Sequence, residues 1–107
     1  IRFFLEPVVL TTNYLLDELG YEEVSMTGKS GGGWTTTLAA ALDPRLLVTI
    51  PDAGSIPMTF NHTSWDYEQL PSRGDLYARC DYECMYVLAG LDAGRVSVQV
   101  LHENGTT

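Results

Sequence analysis

The sequence predicts an α/β fold, a parallel sheet with flanking helices in three layers, and three observations predict it. Segments with helical spacing of apolar residues alternate with short strand-like runs, in the order αβαβ, a long irregular stretch, then αβ. Such alternation calls for parallel strands joined by right-handed crossovers. Residues 46–50 are apolar almost without a break, as a strand covered on both faces requires. Between those strands, Gly28-Lys29-Ser30-Gly31-Gly32 turns a strand directly into a helix. With 107 residues the chain is one domain, 1–107, near the low end for a self-sufficient α/β core.

Each element follows from its pattern. Residues 3–19 read as a helix, with Leu5, Val8, Val9, Leu15, Leu16 and Leu19 at helical spacing, Pro7 in the first turn and Gly20 as the stop. A strand at 23–27 leads into a second helix, 32–42, which carries Trp34, Leu38, Ala41 and Leu42 toward the sheet while Ala39, Ala40 and Ala41 permit close approach. Asp43-Pro44-Arg45 ends it, because proline disfavours helical geometry in the residue before it. From 51 to 74 the pattern dissolves into Pro, Gly, Ser, Asn and scattered aromatics. An excursion of that length inside a compact domain reads as a lid, a binding loop or an insertion. Helical character returns over 75–88, with Asp75 as cap and Leu76, Tyr77, Cys80, Cys84, Val87 and Leu88 as its buried stripe. After a turn at 90–94, residues 96–101 form the last strand, ending in His102-Glu103-Asn104-Gly105.

Composition narrows the function. A hydrophobic content of 45% with 10% aromatics is that of a globular protein. The net charge of −8, from 6 Lys and Arg against 14 Asp and Glu, argues against nucleic acid, which selects a basic surface. No apolar run reaches the roughly 20 residues of a membrane span, and no signal-peptide pattern opens the chain. Ile1 in place of Met leaves a processed or partial product open, and the compartment is not legible. Cys80 and Cys84, four apart in one helix, read as two buried thiols rather than a disulfide, and no further ligands are grouped with them to hold a metal. No cofactor is implied. Asn61-His62-Thr63 and Asn104-Gly105-Thr106 satisfy the N-glycosylation pattern, which matters only in a secreted protein.

The chemistry centres on Ser30. Gly28-Lys29-Ser30-Gly31-Gly32 fits the G-x-S-x-G nucleophile elbow, in which a strained turn projects the serine hydroxyl above the sheet. Gly28 and Gly32 are expected to be glycine because a side chain would crowd the neighbouring strand or helix. Gly28-Lys29-Ser30 is also the end of a P-loop, but that motif needs a glycine five positions earlier, where Glu23 stands, and a loop where residues 23–27 are strand-like.

The run from Met26 through Arg45 resembles the elbow strand, elbow and following helix of α/β-hydrolases of the esterase and dienelactone-hydrolase kind. Pro51-Asp52-Ala53-Gly54-Ser55-Ile56-Pro57 and Trp65-Asp66-Tyr67-Glu68-Gln69 resemble the segments that follow in such enzymes. The resemblance implies a partial α/β-hydrolase fold and hydrolysis of a small carboxylic ester through an acyl-serine at Ser30, with the Gly31 N–H as one oxyanion donor. The early strands that supply the second donor have no counterpart here. In this fold the triad runs Ser, acid, His, and the acid remains open between Asp52, Glu103 and none; Gly105 stands where the family often has Asp. The histidine is His102, at a strand end, or His62, which reads as a loop residue.

Other residues take blander readings. Lys29 reads as a surface lysine, and Trp34, Trp65 and Tyr67 as core or loop packing rather than the lining of an acyl pocket. Glu22, Glu23, Asp66 and Glu68 read as solvated charges. Two alternatives stand beside an active esterase. One is a truncated or degenerate hydrolase domain serving as a binding or structural module. The other is a piece whose sheet is completed by a second chain or a second copy, marked by an open edge and an uncovered apolar face.

Overall fold

A computed structural model describes residues 1–57 and 75–102. The helix α1 spans Arg2–Asn13 and continues as a wider π-type turn over Tyr14–Glu18. Pro7 lies inside α1, a turn later than proline is best accommodated, and removes one backbone donor there. The strand β1 (Val24–Lys29) leads through Ser30 into α2 (Gly31–Leu42), and β2 runs Leu46–Asp52. After residue 74 come α3 (Asp75–Arg79), α4 (Tyr82–Ala89) and a short β3 (Val96–Ser97). The sheet has the order β1-β2-β3 with both pairings parallel, as the alternating pattern requires. Backbone pairing beside β2 extends past β3, since the N–H groups of Val98 and Val100 donate to the carbonyls of Thr49 and Pro51.

The layering differs from expectation. Among the described residues the helices cover one face of the sheet, so the fold has two layers there, not three. A register shift where Val24 pairs with Leu46 but Ser25 with Val48 inserts Leu47 as an extra residue and exchanges the faces of β2. Beyond it, Thr49 and Pro51 are buried under the helices, while Val48 and Ile50 face outward. Val96, Val98 and Val100 join them as an exposed apolar strip.

The core lies on both sides of α2, against α4 and against the sheet. Trp34, Leu38, Tyr82 and Met85 form one buried cluster, and Val24, Ala39 and Leu46 form another, covered by Leu5, Val8, Leu15 and Leu16 of the first helical segment. Trp34 is thus core, its indole N–H donating to the Tyr82 hydroxyl at 2.9 Å. Leu42 and Val87, expected to face inward, are exposed. The hydroxyls of Thr36 and Thr37, buried beneath α2, return to the carbonyls of Gly32 and Gly33 one turn earlier. At the far end of α2, Arg45 beside Asp43 holds that carboxyl below the usual carboxylate range, chiefly through side-chain hydrogen bonds.

Two expectations for the 75–88 segment are corrected. The single helix is broken at Cys80-Asp81, and it is Asp81 that caps α4, its carboxylate accepting the Cys84 N–H at 2.9 Å. The break changes the cysteine geometry: the Cα atoms of Cys80 and Cys84 lie 5.2 Å apart and the two form a disulfide rather than free thiols. No helix of the described residues is long and apolar enough to cross a membrane.

Thr49 gives a direct test of this core. Its hydroxyl oxygen is buried with no hydrogen-bond partner among the described residues, and a buried unpaired hydroxyl costs about 1–3 kcal/mol. Thr49→Val, nearly identical in shape, is expected to stabilise the protein by about 1 kcal/mol in urea unfolding. A loss of stability would mean that the hydroxyl is satisfied.

Candidate active site

Ser30 occupies a strained backbone position, with φ 55° and ψ −119°. A residue with a Cβ holds a left-handed φ only where its surroundings over-determine it, at a cost of about 1–3 kcal/mol. Here the surroundings do so from both sides. The Ser30 N–H donates to the Asp52 carbonyl at 2.9 Å, and the Ser30 carbonyl accepts the Trp34 N–H at 2.9 Å as the first hydrogen bond of α2. The exposed serine therefore sits at the junction of the carboxyl end of β1 and the start of α2. Gly31 is the first residue of that helix, where backbone N–H groups have no intrahelical acceptor and the helix dipole favours negative charge.

The glycines separate into those with a steric duty and one without. A Cβ on Gly28 would lie 2.3 Å from the Gly32 carbonyl oxygen, so the expectation for Gly28 holds. Gly32 has nothing within 4 Å of such a Cβ, which corrects the expectation for it. The crowded partner is Gly33, whose Cβ would lie 2.5 Å from the Asp52 carbonyl oxygen and 3.0 Å from that of Gly28. The run of three glycines contained this signal, but the motif spacing points one residue too early.

Asp52 and His102 meet beside the elbow. Asp52 is the last residue of β2 and pairs in register with Lys29, one residue before the serine. His102 follows the backbone bridge between Asp52 and Val100. Its Nε2 lies 2.6 Å from Asp52 Oδ1, which leaves Nδ1 as the ring nitrogen for another partner. The side chains of the pair are 41% and 31% exposed, so solvent screens their attraction and the bond serves chiefly to orient the imidazole. Thus two of the candidate residues, 50 positions apart, are brought together at the carboxyl edge of the parallel sheet, where open α/β sheets bind ligands. Glu103, His62, Trp65, Tyr67, Asp66 and Glu68 lie outside the described residues. Lys29 is exposed, as a surface lysine should be.

A cavity of about 290 Å³ lies elsewhere, between α1 and the end of α2, lined by Leu5, Val8, Ala39, Leu42 and Arg45 among others. Its α2 residue nearest the serine, Ala39, lies nine positions beyond Ser30, roughly 13 Å along the helix, so it is no part of this site. Among the described residues no group of three or more His, Cys, Asp or Glu side chains is placed to hold a metal. Comparison with protein families, with characterised proteins and with solved structures gave no match to this chain.

Proposed function

We propose that this chain carries the nucleophile-bearing half of a serine hydrolase acting on carboxylic esters, within a partial α/β-hydrolase fold. The observation that carries the reading is the strained Ser30 at a helix N-terminus with the Asp52–His102 pair held on the same sheet edge. His102 takes the Ser30 proton as the hydroxyl oxygen attacks the acyl carbon, and Asp52 keeps the imidazole oriented and stabilises its cationic form. The Gly31 N–H donates to the oxyanion. Collapse of the tetrahedral adduct breaks the ester C–O bond, with the imidazolium returning its proton to the leaving alcohol; water, deprotonated in turn by His102, then releases the acid and restores Ser30.

A second reading is a non-catalytic hydrolase-derived module, or a half-sheet completed by further protein. The exposed strip of Val48, Ile50, Val96, Val98 and Val100 favours it, since an apolar sheet face of this kind is ordinarily covered.

Fluorophosphonate labelling separates the two. Labelling is expected at Ser30, lost in Ser30→Ala and slowed about 100-fold or more in His102→Gln and Asp52→Asn, because the base and its orienting group act as a unit. A folded wild-type chain that takes no label would end the case for catalysis by this chain alone and favour the second reading.

A further inference from the structure

The turn after β2 is held by α2, by α4 and by the segment after β3. Ala53 has φ 49°, the second left-handed residue with a Cβ beside Ser30 among the described residues. Its N–H donates to the Val100 carbonyl at 2.9 Å. Gly54 packs so closely on the start of α2 that a Cβ there would lie 2.0 Å from the Gly33 carbonyl carbon and 2.3 Å from the Trp34 nitrogen. Ser55 then places its Oγ 2.9 Å from the Tyr86 hydroxyl of α4 and 3.3 Å from Thr37 Oγ1 of α2.

These contacts form one linked chain of hydroxyls. Thr37 donates to the Gly33 carbonyl, and Ser55 Oγ bridges Thr37 Oγ1 and the Tyr86 hydroxyl. The chain runs from α4 to the Gly33 carbonyl, and Gly33 itself packs against the carbonyl of Asp52 that receives the Ser30 N–H.

We propose that Ser55, clamped between Tyr86 and Thr37, is a positioning residue that locks the strained 52–54 turn and so fixes Asp52 against both the Ser30 backbone and His102. The inference rests on the reading of Ser30, His102 and Asp52 as the reacting group. It gives α4, which contributes no side chain to that group, control over the placement of its acid.

Amide hydrogen exchange tests this in the whole chain without relying on catalysis, and fluorophosphonate labelling is measured alongside. In Ser55→Ala and in Tyr86→Phe, exchange at the Ser30 and Ala53 amides is expected to rise ~10-fold, the factor a lost hydrogen bond of ordinary strength implies, with labelling of Ser30 slowed in proportion. The amides of Leu38, Ala39 and Ala40 in α2 should rise less than those of the turn, and the thermal midpoint should fall by only the few degrees that one hydrogen bond implies. The double variant should behave as Ser55→Ala alone, since both substitutions remove one linked chain. Unchanged exchange at Ser30 and Ala53 in both single variants would overturn the proposal, as would a rise shared equally by the α2 amides. A wild-type chain that takes no label while its variants lose protection at the turn would sustain the clamp and remove only the hydrolase reading.

Discussion

Gly33→Ala is expected to destabilise the protein by about 3 kcal/mol or more, the upper range for forcing atoms into a filled interior. The added methyl would meet the Asp52 carbonyl oxygen at 2.5 Å, the Gly54 Cα at 2.9 Å and the Gly28 carbonyl oxygen at 3.0 Å. All three are backbone atoms, from β1, the end of β2 and the turn after it, and none belongs to a side chain that can swing away. The Asp52 carbonyl is also the acceptor of the Ser30 N–H, so relief of the clash pulls on the hydrogen bond that sustains the strained serine. Gly32→Ala is the paired control. It stands one residue earlier in the same helix, in open space, and is expected to gain about 0.5–1 kcal/mol from a stiffer unfolded chain. Denaturant midpoints at unchanged m-values read both effects. Equal behaviour of the two variants would mean that the elbow is not packed on the 52–54 turn.

Arg95→Met should cost about 3–5 kcal/mol, because four carbonyls lose a charged donor and a buried acceptor left unpaired costs about 1–3 kcal/mol. The Arg95 side chain is 3% exposed. Its guanidinium donates to the carbonyls of Leu46, Leu88, Ala40 and Asp43, with the Asp92 carboxylate at 3.3 Å. Ala40 and Leu88 lie in the last turns of α2 and α4, where carbonyls lack intrahelical donors and the helix dipoles present negative charge. One planar cation thus ties two helix ends to the base of β2. Methionine fills the volume of the stem but leaves these acceptors without the donors they now have. Lysine should recover only part of the loss, because a single ammonium cannot match the fork. The thermal midpoint of Arg95→Met is expected to fall by about 10–20 °C. A fall of under a few degrees would show that water replaces the guanidinium at these carbonyls.

The resulting picture is of a small parallel sheet whose carboxyl edge is assembled by contacts from every side. Ser30 is set by β1 and α2, Asp52 by β2, His102 by the segment after β3, and the turn between them by hydroxyls from α2 and α4. Each contact is a backbone or short side-chain contact with little freedom. That is the condition under which a strained serine persists.

Sterics and periodicity acting within a few residues made part of this fold legible in the chain itself. The alternation of helical and strand periods required parallel strands, the apolar run at 46–50 required a strand but not the cover on both faces that it suggested, and Gly28-Lys29-Ser30-Gly31-Gly32 required a sharp strand-to-helix turn with a glycine at 28. Those features depend on neighbours already fixed by the chain. The rest arose from contacts between distant elements. The extra residue at Leu47 reverses which side of β2 faces the helices, the break at Cys80-Asp81 brings two cysteines into bonding distance, and Arg95 becomes the link between two helix ends. Asp52 and His102, separated by 50 residues, meet because parallel register aligns the ends of two strands. Register, faces and close approaches are properties of pairs of elements, and a local pattern carries no information about which atoms of a distant element will stand opposite it.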